Sequence, residues 1–144
     1  MAVRSDYFVG TGKVDITPSL DKPVYLAGFA PNRTALEVLH PLEVHAMYVR
    51  DSQESALCLV TLDLIGFLHP SMLRVKKRVA HLLDPERVIL CSTHTHSGPD
   101  TLGLWGKAFL GIPYRTGVDK GGTTSPASRT RPCRPSSWPW PPRP

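Results

Sequence analysis

Two histidines one residue apart, His94 and His96, have the type and spacing in this chain that could do chemistry. In extended chain, side chains two apart point to the same side, so two imidazoles can converge on one ion or one substrate group. Such a pair also occurs on ordinary solvated strands. It is not by itself a metal site, because catalytic zinc usually takes three protein ligands and leaves one position open. Its surroundings raise its interest. Val88-Ile-Leu-Cys91 is an apolar run of the length a buried strand needs. Ser97-Gly-Pro-Asp100 is turn chemistry, and its glycine lets the backbone come close to a partner. The histidines therefore stand where strand gives way to loop, which is where open α/β sheets place their sites.

The elements that must position this pair can be read in order. Tyr7 to Ile16 alternates loosely and predicts a strand closed by Thr17-Pro18, with Asp15 as a turn or capping residue. Leu20 to Asn32, with its prolines and Gly28, reads as loop. Leu42 to Arg50 predicts a strand, with Leu42, Val44, Ala46 and Tyr48 on one face and Glu43 and His45 on the other. Ser55 to Phe67 is mostly apolar and predicts a strand buried on both faces. His69-Pro70-Ser71 stops it and opens a helix from about Pro70 to Leu83. Met72, Val75, Val79, Leu82 and Leu83 recur at helical spacing there, while Arg74, Lys76, Lys77 and Arg78 read as a solvated face. Asp84-Pro85 ends the helix, and a strand over 87–93 leads to the histidines. The expected fold class is α/β, a mixed sheet with a βαβ unit whose two strands are parallel.

Parallel strand ends lie at one edge of a sheet, so Asp63 and His94 are expected at the same edge. Two roles stay open for Asp63. It can take the second ring proton of a ligating imidazole and fix its tautomer, or it can cap the loop. His40, His45, His69 and His81 show no partner pattern and read as ordinary surface or loop residues.

The chain has 144 residues, room for one domain with a modest core, and 41% of them are apolar. Its formal charge of +5 would suit a nucleic-acid partner. Residues 1–119, however, hold twelve basic and twelve acidic residues, whereas 120–144 hold five basic and no acidic ones. The excess belongs to the tail, and no nucleic acid is expected on the folded part. Three cysteines, an odd count, argue against a disulfide framework; Cys58 and Cys91 read as small buried residues, and Cys133 lies in the tail. No apolar leader and no run of about 20 apolar residues is visible, so no signal peptide and no transmembrane segment are expected, and the location as written is cytoplasmic.

Thr93-His-Thr-His-Ser-Gly-Pro99 resembles the signature of the neutral/alkaline, non-lysosomal ceramidase family. Gly12-Lys-Val-Asp-Ile-Thr-Pro18 resembles its opening strand, and Tyr25-Leu-Ala-Gly-Phe29 its glycine-aromatic turn. Leu59-Val-Thr-Leu-Asp-Leu64 resembles its strand ending in an aspartate before a crossover helix. The likeness covers residues 10 to 119, the N-terminal part of a larger catalytic domain. It implies zinc-dependent hydrolysis of the N-acyl amide of a ceramide-like lipid, giving a sphingoid base and a fatty acid. By that resemblance His94 is a zinc ligand, and His96 is the neighbour that contacts substrate or the developing oxyanion. The family's other ligands, a second histidine, a glutamate and a tyrosine, come from far downstream, so the chain as written is expected to be inactive. Glu43 and His45 stand where the family often has arginine. Family members are often secreted or membrane-associated.

Rival readings fit less well. A metallo-β-lactamase-like site wants His-x-His-x-Asp-His, but position 98 is glycine and Asp100 comes two residues late. A barrel amidohydrolase carries its pair on the first strand, whereas several elements precede it here. A non-catalytic remnant, or a metal-dependent hydrolase of another amide or ester, remains open. The tail, 120–144, is expected to be a disordered Pro/Arg/Ser-rich segment translated out of frame. From Gly121 it holds seven prolines and four arginines, with no aliphatic residue larger than alanine. With serine read as TC codons, one permitted shifted frame turns serine, cysteine and tryptophan codons into large apolar ones at near-helical spacing.

Overall fold

A computed structural model describes residues 6–106, together with 108–109 and 112–113. The tail reading therefore lies outside the described residues. Four strands form one sheet in the order β1-β2-β3-β4: β1 is Phe8–Asp15, β2 Glu43–Arg50, β3 Ala56–Leu62 and β4 Val88–Ser92. β1 and β2 pair antiparallel from Phe8↔Arg50 to Asp15↔Glu43, and β2 and β3 from Arg50↔Ala56 to Val44↔Leu62. β3 and β4 pair parallel from Cys58↔Val88 to Leu62↔Ser92. Between them lie helix α1, His69–Val79, and a 3₁₀ turn at Pro85–Arg87. The mixed sheet with its βαβ unit is the expected α/β architecture. Two further two-residue strands, β5 (Ala108–Phe109) and β6 (Ile112–Pro113), pair antiparallel. Among the described residues no helix is long and apolar enough to cross a membrane.

The period of two sets which residues share a face. Val44, Ala46 and Tyr48 line up across the register with Leu62, Val60 and Cys58, and these with Ser92, Leu90 and Val88. This face carries buried Ala56, Leu62 and Val88. The opposite face carries Val9, Met47, Leu57 and Ile89, which are all exposed. β3 is thus buried on one face, not on both as its apolar run suggests, because among the described residues no layer encloses the second face. Cys58 is half-buried, and burial pushes its thiol pKa up. Cys91, on the open face, is exposed rather than buried as expected.

Proline in its first turn opens α1 without any side-chain cap. Met72, Val75 and Val79 are its half-covered row, and Lys76, Lys77 and Arg78 complement the dipole in its last turn. The helix ends at Val79, four residues earlier than its apolar spacing suggests. The Val79 carbonyl accepts from both Leu82 and Leu83 N–H, which closes the terminal turn. β3 likewise ends at Leu62, short of Phe67. There Leu64 N–H bonds the Leu62 carbonyl in a three-residue turn. The buried Leu64 closes this turn and the buried Ile65 follows it, so the core sits where β3 delivers the chain to the site.

Candidate functional site

Beyond β4 the ladder continues for two residues: Thr93 N–H bonds the Leu62 carbonyl at 2.9 Å and His94 N–H the Leu64 carbonyl at 3.0 Å. His94 then takes a φ of +63°, the left-handed region that non-glycine residues seldom enter. Such strain persists where surrounding structure over-determines it. Here the over-determination is visible, because both the backbone N–H and the ring are held. His94 Nδ1 lies 2.7 Å from the Ile65 carbonyl oxygen. A carbonyl only accepts, so Nδ1 donates and carries the ring proton, leaving the Nε2 lone pair for a ligand. The turn after β3 aims that carbonyl.

A second loop meets the first. Tyr25 bridges Thr34 and Leu26 bridges Pro99. Ala27 N–H bonds the Gly98 carbonyl at 3.0 Å, and Asp100 N–H bonds the Tyr25 carbonyl at 2.8 Å. At the crest of this loop Gly28 and Phe29 have φ values of +82° and +62°. His96 packs into that crest. Its ring lies edge-on to Phe29, with centroids 5.0 Å apart, and edge-on to His94 at 5.2 Å. Arg33 stands over Phe29, its guanidinium carbon 5.2 Å from the ring centroid. Its Nη1 donates to the Gly28 carbonyl at 3.2 Å. His96 Nδ1 is buried with no hydrogen-bond partner. A buried polar atom without a partner, donor or acceptor alike, costs about 1–3 kcal/mol. With its proton on Nε2, the ring would present a donor away from the buried Nδ1. In that form the two histidines would be opposite tautomers, one offering a lone pair and the other a donor.

Asp63 stands at the shared sheet edge, next to Leu62, but it is tied to β2 rather than to an imidazole. Its Oδ2 accepts from Glu43 N–H at 3.0 Å, and its own N–H bonds the Glu43 carbonyl at 3.0 Å. The partner of the His94 ring is the Ile65 carbonyl instead. The turn after Leu62 directs the Asp63 side chain to β2 and brings Ile65 beneath His94. Among the described residues no group of three or more His, Cys, Asp or Glu side chains gathers as a metal cluster. The pair nonetheless fits a metal-assisted centre, with the His94 Nε2 lone pair beside the His96 ring and a backbone carbonyl supporting the ligand's tautomer.

The sequence places Asp100 in a turn, but the role of its carboxylate was missed. It is buried, and it accepts from Leu102 N–H (3.1 Å) and Gly103 N–H (2.8 Å) on Oδ1 and from Trp105 N–H (2.7 Å) on Oδ2. The signal was available, since aspartate in turn chemistry often bonds backbone two residues on. Asp15 accepts from Thr17 N–H at 2.7 Å, the turn role expected of it. His45 Nε2 lies 3.0 Å from a Glu43 carboxylate that also takes Lys13 Nζ at 2.7 Å. An apolar cavity of about 560 Å³ lies beside the histidine loop, walled by Val24, Leu26, Val38 and Leu42. Asp63, Thr95 and Ser97 line it, as does His40, whereas neither His94 nor His96 does.

This architecture is similar to solved ceramidases. The neutral ceramidase from Pseudomonas aeruginosa matches 66% of this chain at a TM-score of 0.59 and 25% identity. A structure described as a ceramidase complexed with C2 matches 66% at a TM-score of 0.60 and 27% identity. In each case the match covers 16% of the ceramidase chain. No family model and no curated protein matches the chain.

Proposed function

We propose, on the premise that this chain is a neutral-ceramidase-like segment, that it supplies part of a zinc-dependent centre hydrolysing the N-acyl amide of a ceramide-like lipid. The observation that carries the reading is the bond that fixes His94 Nδ1–H on the Ile65 carbonyl, beside a His96 ring whose Nδ1 is buried without a partner. An amide is a poor electrophile, and zinc held in part by His94 Nε2 would supply the Lewis acidity that makes it reactive. His94 is poised for that role because its Nδ1–H donates to the Ile65 carbonyl, which keeps the proton off Nε2. His96 presents Nε2–H as a donor to the acyl oxygen, where negative charge develops as the carbonyl is attacked. The edge-on contact between the rings keeps this donor beside the ligand. The remaining ligands come from outside the described residues.

The test places this segment in the Pseudomonas ceramidase, in place of the part it matches, and measures zinc content and hydrolysis of a fluorescent ceramide analogue. His94→Ala should lose metal and turnover together. His96→Ala should keep the metal and lose turnover by about 10²–10³-fold, the usual cost of one oxyanion donor. A His94→Ala chimaera that keeps both metal and rate refutes the assignment.

A further inference from the structure

We propose that Gly28 is a positioning residue for His96: the space left by its missing side chain fixes the imidazole with Nδ1 inward and Nε2 outward. A Cβ at position 28 would lie 2.1 Å from His96 Nδ1, 2.7 Å from Cε1 and 2.8 Å from Cγ. Those three atoms form one edge of the ring, so His96 presents that edge to Gly28 and turns the Nε2–Cδ2 edge away. The close atom is the one that is buried and unpartnered. The ring lies edge-on to Phe29 and His94, so moving it aside for a new atom would disturb both contacts. Any side chain must push the ring more than 1 Å to restore ordinary contact at 3.4 Å or beyond.

Gly28 has a second reason to be glycine, its φ of +82°. The two reasons make different demands. Asparagine tolerates the left-handed region but brings a Cβ. If backbone conformation alone mattered, Gly28→Asn would be much milder than Gly28→Ala. If space for the ring is what matters, the two act alike. The inference rests on the reading of His96 as a donor, but its test uses neither metal nor substrate, so it can succeed where hydrolysis fails and fail where hydrolysis succeeds.

The experiment uses the full 144-residue chain with labelled histidine. Long-range proton–nitrogen spectra are recorded at about pH 8, above the ordinary imidazole range. Wild type should show His96 as a single Nε2–H tautomer. Gly28→Ala and Gly28→Asn should both convert it to an averaged pattern while leaving His94 as the Nδ1–H form. In thermal unfolding, Gly28→Ala should lower the midpoint by about 5 °C or more. It should lower it by less than half as much in a His96→Ala background, where the clashing ring is gone. Failure of Gly28→Ala to fold, with folding regained in the double variant, gives the same support. An unchanged His96 tautomer, equal midpoint shifts in both backgrounds, or loss of folding in both would overturn the proposal.

Discussion

Asp100 closes its carboxylate on three backbone N–H groups and so holds the chain that follows the histidine loop. Hydrogen bonds to a charged acceptor contribute about 1.5–3 kcal/mol each, and bonds sharing one side chain do not add fully. Asp100→Ala should cost roughly 3 kcal/mol and speed amide exchange at Leu102, Gly103 and Trp105. Asp100→Asn should release Trp105 first, since one oxygen can still serve Leu102 and Gly103. Unaltered exchange at all three amides in Asp100→Ala would contradict this account. His94 and His96 were legible in the sequence because a strand pattern followed by Gly-Pro marks an edge. Their partners were not. Ile65 acts through its carbonyl, an atom every residue has, and Gly28 through an atom it lacks.

At the end of the β1–β2 pair, side chains tie the strands. The Lys13 ammonium bonded to Glu43 holds that carboxyl below the usual range, and Glu43 in turn holds the Lys13 pKa up. Hydrogen bonding from Thr17 holds the Asp15 carboxyl down. A carboxyl lowered in the folded state contributes stability above its unfolded pKa, about 4, that is lost as pH falls through its folded value. A raised lysine contributes stability below about pH 10.4 that is lost as pH rises through its folded value. Amide protection at Val14, corrected for intrinsic exchange, should therefore be steady from about pH 5 to 8 and fall under more acid conditions. An acid limb that is the same in wild type and in a Glu43→Gln, Asp15→Asn variant would show that these groups do not cause it. The elements themselves were readable: alternation places β1 and β2, and strand, helix, strand implies the parallel pair. The misjudged ends of α1 and β3 share a cause. Both lie where a single carbonyl is taken up by a turn, an event that leaves the apolar pattern unbroken.

At the scale of the molecule, one face of the sheet covers the small core and the other displays Val9, Met47, Leu57 and Ile89. Sequence period could assign residues to faces but could not say which face lies open, because an apolar strand looks the same whether one layer or two enclose it. The chain matches only 16% of a ceramidase's length, so the activity of a whole ceramidase belongs to more chain than the residues described here. The site joins the two loops through the Leu26–Pro99 bridge and the Ala27–Gly98 bond.

That junction has a consequence in time. It links segments far apart along the chain, so its entropy must be lost before its few contacts reward it. The ladder between β3 and β4 spans a shorter separation and buries Leu62 and Val88 as it forms. The sheet should condense early and the loop junction last. In refolding kinetics, Leu62→Ala should slow folding, whereas Pro99→Ala should leave the folding rate nearly unchanged and speed unfolding. Slowed folding in Pro99→Ala would reverse the order. A chain arrested with its sheet complete would then carry both histidines at its edge and still have no site, since the cradle that turns His96 outward is the last part to arrive.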